Sequence, residues 1–290
     1  MRRTAWRCLG VVSLAGWLAA CGGAADPDTS TLERVREAGV VRVGYANEAP
    51  FAYQETTTGR LTGEAPEVAR AILERMSVER IKGVLTEFGS LIPGLQAGRF
   101  DMIAAGMYIT PQRCAEIAFS NPTYSVGGAF IVRAGNPLNL HSYEGLRDTP
   151  GATIGVVSGA VERGYARAVG IPDGRIIAFP DAPSAMAGVR TGRVSAYAAT
   201  GLTVQNLLSK DSEGLQRAAP FTAPVIEGET VRGYGAFGFR QEDRHLLAEF
   251  NRHLADFIGT PEHLEIVEPF GFSTAQLPDA VTAQELCEGR

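Results

Sequence analysis

Cysteine is scarce, four in 290 residues, and none of the four shows the paired short spacing of a zinc site. A small disulfide scaffold and a cysteine-built metal centre are therefore both excluded. Basic runs are missing as well. No cluster of Lys or Arg follows the first seven positions, and 27 basic against 32 acidic residues leave a formal charge of −5. That balance argues against a nucleic-acid partner held by counterion release. The apolar stretch near the start covers only Leu9 to Ala20, short of the roughly 20 residues a membrane-spanning helix needs. What is present is a globular composition, 45% hydrophobic and 20% charged, which rules out a disordered tail and a collagen-like repeat. At roughly 150 residues per domain the length allows about two units, each able to bury its own core.

The first residues read as an address. Arg2, Arg3 and Arg7 precede the apolar stretch, and Leu18-Ala19-Ala20-Cys21 ends it, the pattern of an export signal. These four residues resemble a bacterial lipoprotein signal, which implies cleavage after residue 20 and lipid on Cys21. An ordinary leader with a chance cysteine is the alternative. Gly22-Gly23-Ala24-Ala25-Asp26 then begins a small, polar tether over 21–30. The mature protein is expected to be acidic, extracytoplasmic and anchored to the membrane through that lipid. Cys8 leaves with the leader, so Cys114 and Cys287 remain in a compartment where disulfides persist. They are expected to pair, with two separate buried thiols as the alternative.

Along the mature chain, strand and helix patterns alternate. A helix over Thr31–Ala38, capped by Ser30 or Thr31 and closed by Gly39, leads into the strand Val40-Val41-Arg42-Val43-Gly44. Helical spacing over 62–76, a strand over 84–87, a helix over 90–97 and a strand over 102–105 follow. After the strand 128–133 the theme restarts, with strands at 154–157, 176–179 and 194–198 and helices at 161–169 and 182–191. A strand at 235–239 then feeds a long amphipathic helix over 243–258. Such alternation predicts an α/β fold with largely parallel sheets in two lobes.

Several ordered landmarks carry a resemblance. They are Val41-Arg42-Val43-Gly44, Pro50-Phe51, Leu61-Thr62-Gly63-Glu64, Leu91 to Asp101 with its Gly98-Arg99-Phe100-Asp101 end, Ile109-Thr110-Pro111-Gln112-Arg113 and Phe119-Ser120-Asn121-Pro122. Over about residues 31–275 the chain resembles the solute-binding proteins of bacterial ABC importers, family 3, the polar amino acid type. That resemblance implies a two-lobed periplasmic binding protein fold of type II, with two hinge-crossing segments. Lobe 1 would comprise 31–127 and 230–290, and lobe 2 would comprise 128–229. It also implies a monomer that binds a small zwitterion, meets permease and ATPase subunits, and uses no cofactor or metal.

The family's main ligand contact, the arginine of its Thr-Pro-x-Arg segment, carries over to Arg113. A planar guanidinium can donate two parallel hydrogen bonds to a carboxylate, which an ammonium cannot. The plainer alternative is an exposed arginine paired with Glu116. The turn Ser158-Gly159-Ala160-Val161 aligns with a lobe-two segment that offers backbone donors to the same carboxylate. Two departures stand out. Thr200 occupies the position where α-amino-acid receptors carry an aspartate for the ligand ammonium, and Gly106-Met107-Tyr108 replaces the usual Ser or Thr pair. A primary α-amine is thus a poor candidate, because a buried ammonium without a charged partner is strongly disfavoured.

Aromatic residues take their place. Phe51, Phe88 and Tyr108 match pocket-lining positions, with Glu48 just ahead of Phe51; core packing is the alternative for each ring. Rings with one carboxylate suit a cation whose charge is delocalised. The segments Tyr45 to Phe51, Gly63 to Ala69 and Gly106 to Pro111 are most similar to the binding proteins for ectoine and hydroxyectoine. That similarity implies a ligand set of Glu48, Phe51, Phe88, Tyr108 and Arg113, joined by Ala160 and Thr200 from lobe 2. Receptors for proline, betaine or a cationic amino acid are the nearest alternatives. A cyclic-acid dehydratase on the same fold would need an acid and a base at the substrate, and only Glu48 and Glu64 qualify. None of His141, His245, His253 and His263 is near a ligand landmark.

Overall fold

The computed structural model describes residues 30–289; the leader, most of the tether and Cys21 lie outside the described residues. Helix α1 (Thr31–Ala38) opens with a reciprocal cap between Ser30 and Glu33 and closes on Gly39 in the left-handed region. The first lobe continues through β1 (Val40–Tyr45), α2 (Glu64–Arg75), β2 (Arg80–Leu85), α3 (Leu91–Gln96), β3 (Met102–Tyr108), α4 (Pro111–Cys114), β4 (Ala118–Phe119) and β5 (Tyr124–Val126). The chain then crosses at Gly127 into a second lobe. This lobe holds β6 (Gly128–Arg133), α5 (Tyr143–Asp148), β7 (Ile154–Val157), α6 (Glu162–Ala168), β8 (Ile176–Phe179), α7 (Ala182–Arg190), β9 (Ala196–Thr200), α8 (Gly201–Lys210) and β10 (Leu215–Arg217). It returns to the first lobe with β11 (Gly233–Phe239), α9 (Arg244–Phe257), α10 (Pro261–Val267) and α11 (Ala283–Cys287).

The first sheet has the order β2-β1-β3-β11-β4, with β5 also on β11; the second has the order β8-β7-β9-β6-β10. Strands β1, β2 and β3 of the first sheet and β7, β8 and β9 of the second run parallel, as expected. The strands that leave and re-enter the lobes do not: β11 is antiparallel to β3, β4 and β5, and β6 is antiparallel to β9 and β10. The sheets are therefore mixed, with the antiparallel pairings made by the strands next to the crossings. Several boundaries also differ from the periodicity. The strand expected at 84–87 is β2 at Arg80–Leu85, an edge strand with a largely exposed face and no apolar run to mark it. Strand β3 extends to Tyr108 because β11 pairs along it as far as Gly235. The strand expected at 194–198 is Ala196–Thr200, and the helix expected from residue 62 starts at Glu64, with Leu61–Thr62 paired to Tyr53–Gln54 instead.

Helices α2 and α9 press Val68, Ile72, Leu246, Phe250 and Leu254 into the core behind β1 and β3. The Gly98-Arg99-Phe100-Asp101 landmark is structural. Asp101 is fully buried, and Arg42 of β1 and Arg34 of α1 donate to it at 2.6–3.1 Å. Burial alone would raise its pKa, but these hydrogen bonds outweigh burial and hold it below its ordinary value. Cys114 and Cys287 form a disulfide with Cα atoms 5.7 Å apart, fastening α11 against α4 next to Arg113.

Candidate functional site

Between the lobes lies a cavity. All seven residues singled out from the sequence, Glu48, Phe51, Phe88, Tyr108, Arg113, Ala160 and Thr200, line it. Thr110 accepts a hydrogen bond from the Arg113 backbone N–H and caps α4, which starts on Pro111. The guanidinium then turns inward. Its Nη1 donates to the Tyr108 carbonyl at 2.7 Å, and its Nη2 donates to the Gly159 carbonyl of the other lobe at 2.9 Å. Two of its five N–H donors are thus committed. Glu116 is not its partner, for that carboxylate accepts from Gln96. Burial lowers the Arg113 pKa, opposed chiefly by the charge of Glu162.

Phe51 is 2% exposed and pinned on three sides. Its ring centroid is 5.3 Å from Tyr124 and 5.7 Å from Phe272, and on a third side it rests on the backbone of Gly106. Gly106 has φ +67°, and a Cβ there would stand 2.6 Å from the Phe51 ring. The departure from the family's hydroxyl pair therefore has a steric cause: only glycine leaves room for this ring. Phe88 also lines the cavity, its ring centroid 5.5 Å from Arg113 Cζ, so it packs on the guanidinium. Tyr108 is buried beside Tyr124, and burial pushes its pKa up.

Glu48 carries the acidic end. Burial pushes its pKa up, while a 2.7 Å hydrogen bond donated by Thr203 Oγ1 partly offsets that. Thr200 reaches Glu48 only through that neighbour: its hydroxyl caps α8 by accepting from the Thr203 N–H and donates to Thr203 Oγ1 at 3.0 Å. Thr203 bonds across the cleft, as does Arg113. Gly159, at φ +79°, lets the lobes touch through backbone, since a Cβ on it would come 2.5 Å from Gly89 Cα.

Sequence reasoning missed Thr203, Tyr197 and Glu162. Tyr197 and Glu162 also line the cavity. Thr203 stands three residues beyond the helix cap Thr200, and Glu162 directly follows the Ser158 to Val161 turn. Each position carried a local signal, but nothing local said that it faced the opposite lobe. Glu162 is 7% exposed, and burial raises its pKa to about 7, helped by the charge of Glu48 and opposed by its own backbone N–H and by Arg113. Among the described residues no group of acidic, His or Cys side chains is arranged to hold a metal ion, and no helix is long and apolar enough to cross a membrane.

Comparison with known proteins agrees with this geometry. Residues 41–273 match the model of the bacterial extracellular solute-binding proteins, family 3. The chain is 40% identical over 262 residues to the probable amino-acid ABC transporter periplasmic-binding protein y4tE of Sinorhizobium fredii, covering 89% of this chain and 86% of that one. It is 28% identical over 213 residues to the L-arginine-binding protein of Pseudomonas aeruginosa, covering 73% and 80%. Among solved structures, EhuB in complex with hydroxyectoine superposes with a TM-score of 0.80 at 36% identity, covering 90% of this chain and 98% of that chain. The ancestral amino acid-binding protein AncCDT-1, a precursor of cyclohexadienyl dehydratase, superposes with a TM-score of 0.71 at 25% identity, covering 83% and 99%. With two α/β lobes on either side of one cavity and a family match spanning most of its length, the chain belongs to the bacterial extracellular solute-binding proteins, family 3, and is a binding protein for a solute, not an enzyme.

Proposed function

We propose that this protein captures ectoine or hydroxyectoine outside the cytoplasm and delivers it to the permease and ATPase of an ABC importer, held at the membrane by lipid on Cys21. The ligand carboxylate meets Arg113, and its delocalised amidinium lies by Glu48 with Phe51, Phe88 and Tyr108 as the apolar surround. One observation carries this reading: the lone arginine and the Thr203-bound Glu48 line one cavity whose remaining wall, Glu162 and Thr200 apart, is aromatic and aliphatic. A cyclic ion with charge spread over carbon and nitrogen is cheap to dehydrate and is attracted by ring faces. The similarity to EhuB, solved with hydroxyectoine, supports the same ligand class. The domain reading of 31–127 with 230–290 as lobe 1 and 128–229 as lobe 2 is supported by the crossings at Gly127 and ahead of β11. Closure then shifts an open–closed equilibrium toward the form the permease recognises.

Calorimetry with ectoine, hydroxyectoine, proline, betaine and arginine tests the assignment. Ectoine-type ligands are expected to bind, and Arg113→Ala is expected to weaken them by about 30-fold to several thousand-fold, the equivalent of ~2–5 kcal/mol for an unpaired buried charge. Binding of ordinary amino acids alone would refute the ligand class, and near-normal affinity in Arg113→Ala would refute the role of the arginine.

A further inference from the structure

The cavity holds one acid more than such a zwitterion can use. Arg113 answers the ligand carboxylate and Glu48 answers the amidinium, which leaves Glu162 over. Glu162 also borders a second, smaller cavity beside the crossing strands, lined by Tyr108, Tyr143, Tyr165, Gly128 and Gly233. The ionisable groups that face it are Glu48 from the loop after β1, Tyr108 from β3, Arg113 from α4, Tyr143 from α5, Tyr165 from its own helix and Tyr197 from β9. Every one of those tyrosines is held in its neutral form by burial. The charge balance near neutrality therefore lies among Glu48, Arg113, Glu162 and the ligand.

We propose that Glu162 is a ligand-contacting residue that closes over the zwitterion in its protonated form, so that capture of the ligand takes up a proton from water. This rests on the reading that the ligand carboxylate docks at Arg113. Docking brings a second negative charge to the guanidinium that partly stabilises ionised Glu162, and closure removes water from both; each change favours the neutral carboxyl. A neutral carboxyl can also donate a hydrogen bond to a carboxylate or hydroxyl, which an ionised one cannot. Burial between the lobes raises the Glu162 pKa to about 7, and where the lobes part, water returns it toward its ordinary range. The bound value thus exceeds the free one. Affinity is then full at low pH and falls by up to about tenfold per pH unit as pH rises between the two values.

The test is calorimetric titration with hydroxyectoine at pH 7.5 in phosphate and in imidazole, buffers of different ionisation enthalpy, on the wild type and on Glu162→Gln. Thermal melts confirm that both are folded. The wild type is expected to take up roughly half a proton or more per ligand. The variant is expected to bind without buffer dependence and with a flat pH profile from 6 to 9. Hydroxyectoine binding in the wild type with no buffer dependence, with proton release, or with equal uptake in the variant overturns the role of Glu162 and leaves the ligand class standing. No hydroxyectoine heat at pH 6 overturns both.

Discussion

Replacing Gly106 by alanine would test whether the cavity wall is set by the fit between this residue and Phe51. The added methyl meets two separate obstacles. At φ +67° an L-residue with a Cβ is disfavoured by ~1 kcal/mol. The Cβ would also stand 2.6 Å from Cγ and Cδ1 of Phe51 and 2.8 Å from its Cβ, where carbon atoms ordinarily rest at about 3.5–4 Å. The ring must therefore move by about 1 Å, and Tyr124 and Phe272 stand behind it with centroids within 5.7 Å. Overpacking of this kind costs ~1–3 kcal/mol, so the total loss expected is ~2–4 kcal/mol. The free direction for the ring is the ligand cavity, so affinity should fall at least about tenfold even though Arg113, Glu48 and Thr203 are untouched. Urea unfolding of the ligand-free protein measures the first effect, and calorimetry with hydroxyectoine measures the second. A stability change below ~0.5 kcal/mol, no larger than a typical surface substitution, combined with unchanged affinity would show that Phe51 is not pinned and that the account of the Gly106 departure is wrong.

The disulfide and the buried acid Glu64 carry the other expectations. The bond between Cys114 and Cys287 joins positions 173 residues apart, for which the chain-entropy model gives ~5 kcal/mol as an upper value. Cys287→Ser should lower the unfolding midpoint well beyond the scatter of surface variants while leaving ligand binding far less affected than Arg113→Ala does; an unchanged midpoint would refute this. Glu64 is 1% exposed, and burial raises its pKa to about 8 against the hydrogen bond from Thr123. Its neutral form belongs to the folded state, so this contribution is complete below the ordinary carboxylate value of 4.5 and is lost as pH rises through about 8. The full span corresponds to ~4–5 kcal/mol as an upper limit. Stability of Glu64→Gln measured from pH 5 to 9 should fall less steeply than wild type, and parallel curves would count against the assignment.

The sequence by itself determined the α/β alternation and the order of the landmarks, and the resemblance carried by those landmarks pointed to seven residues that now line the cavity. The alternation and the landmarks rest on local information: apolar periodicity reports which face of a strand or helix is buried, and the Thr110-Pro111-Gln112-Arg113 segment carries its own cap and its own turn. It also singled out Gly106 and Thr200 as departures, without a cause for the first or a role for the second. Only the tertiary structure decided those. Gly106 is required because Phe51, brought back from residues before it, lies on its backbone, and Thr200 reaches the acidic end of the cavity through Thr203. The same holds for edge strand β2, whose exposed face leaves no pattern to read, and for the antiparallel runs of β6 and β11. The Glu48–Thr203 bond joins residues 155 positions apart on opposite lobes, and Glu162 shares its cavity with Glu48 and Arg113 only because the two lobes close. Proximity across a cleft is set by how two separately folded cores dock, and neither spacing nor composition along one chain encodes that distance.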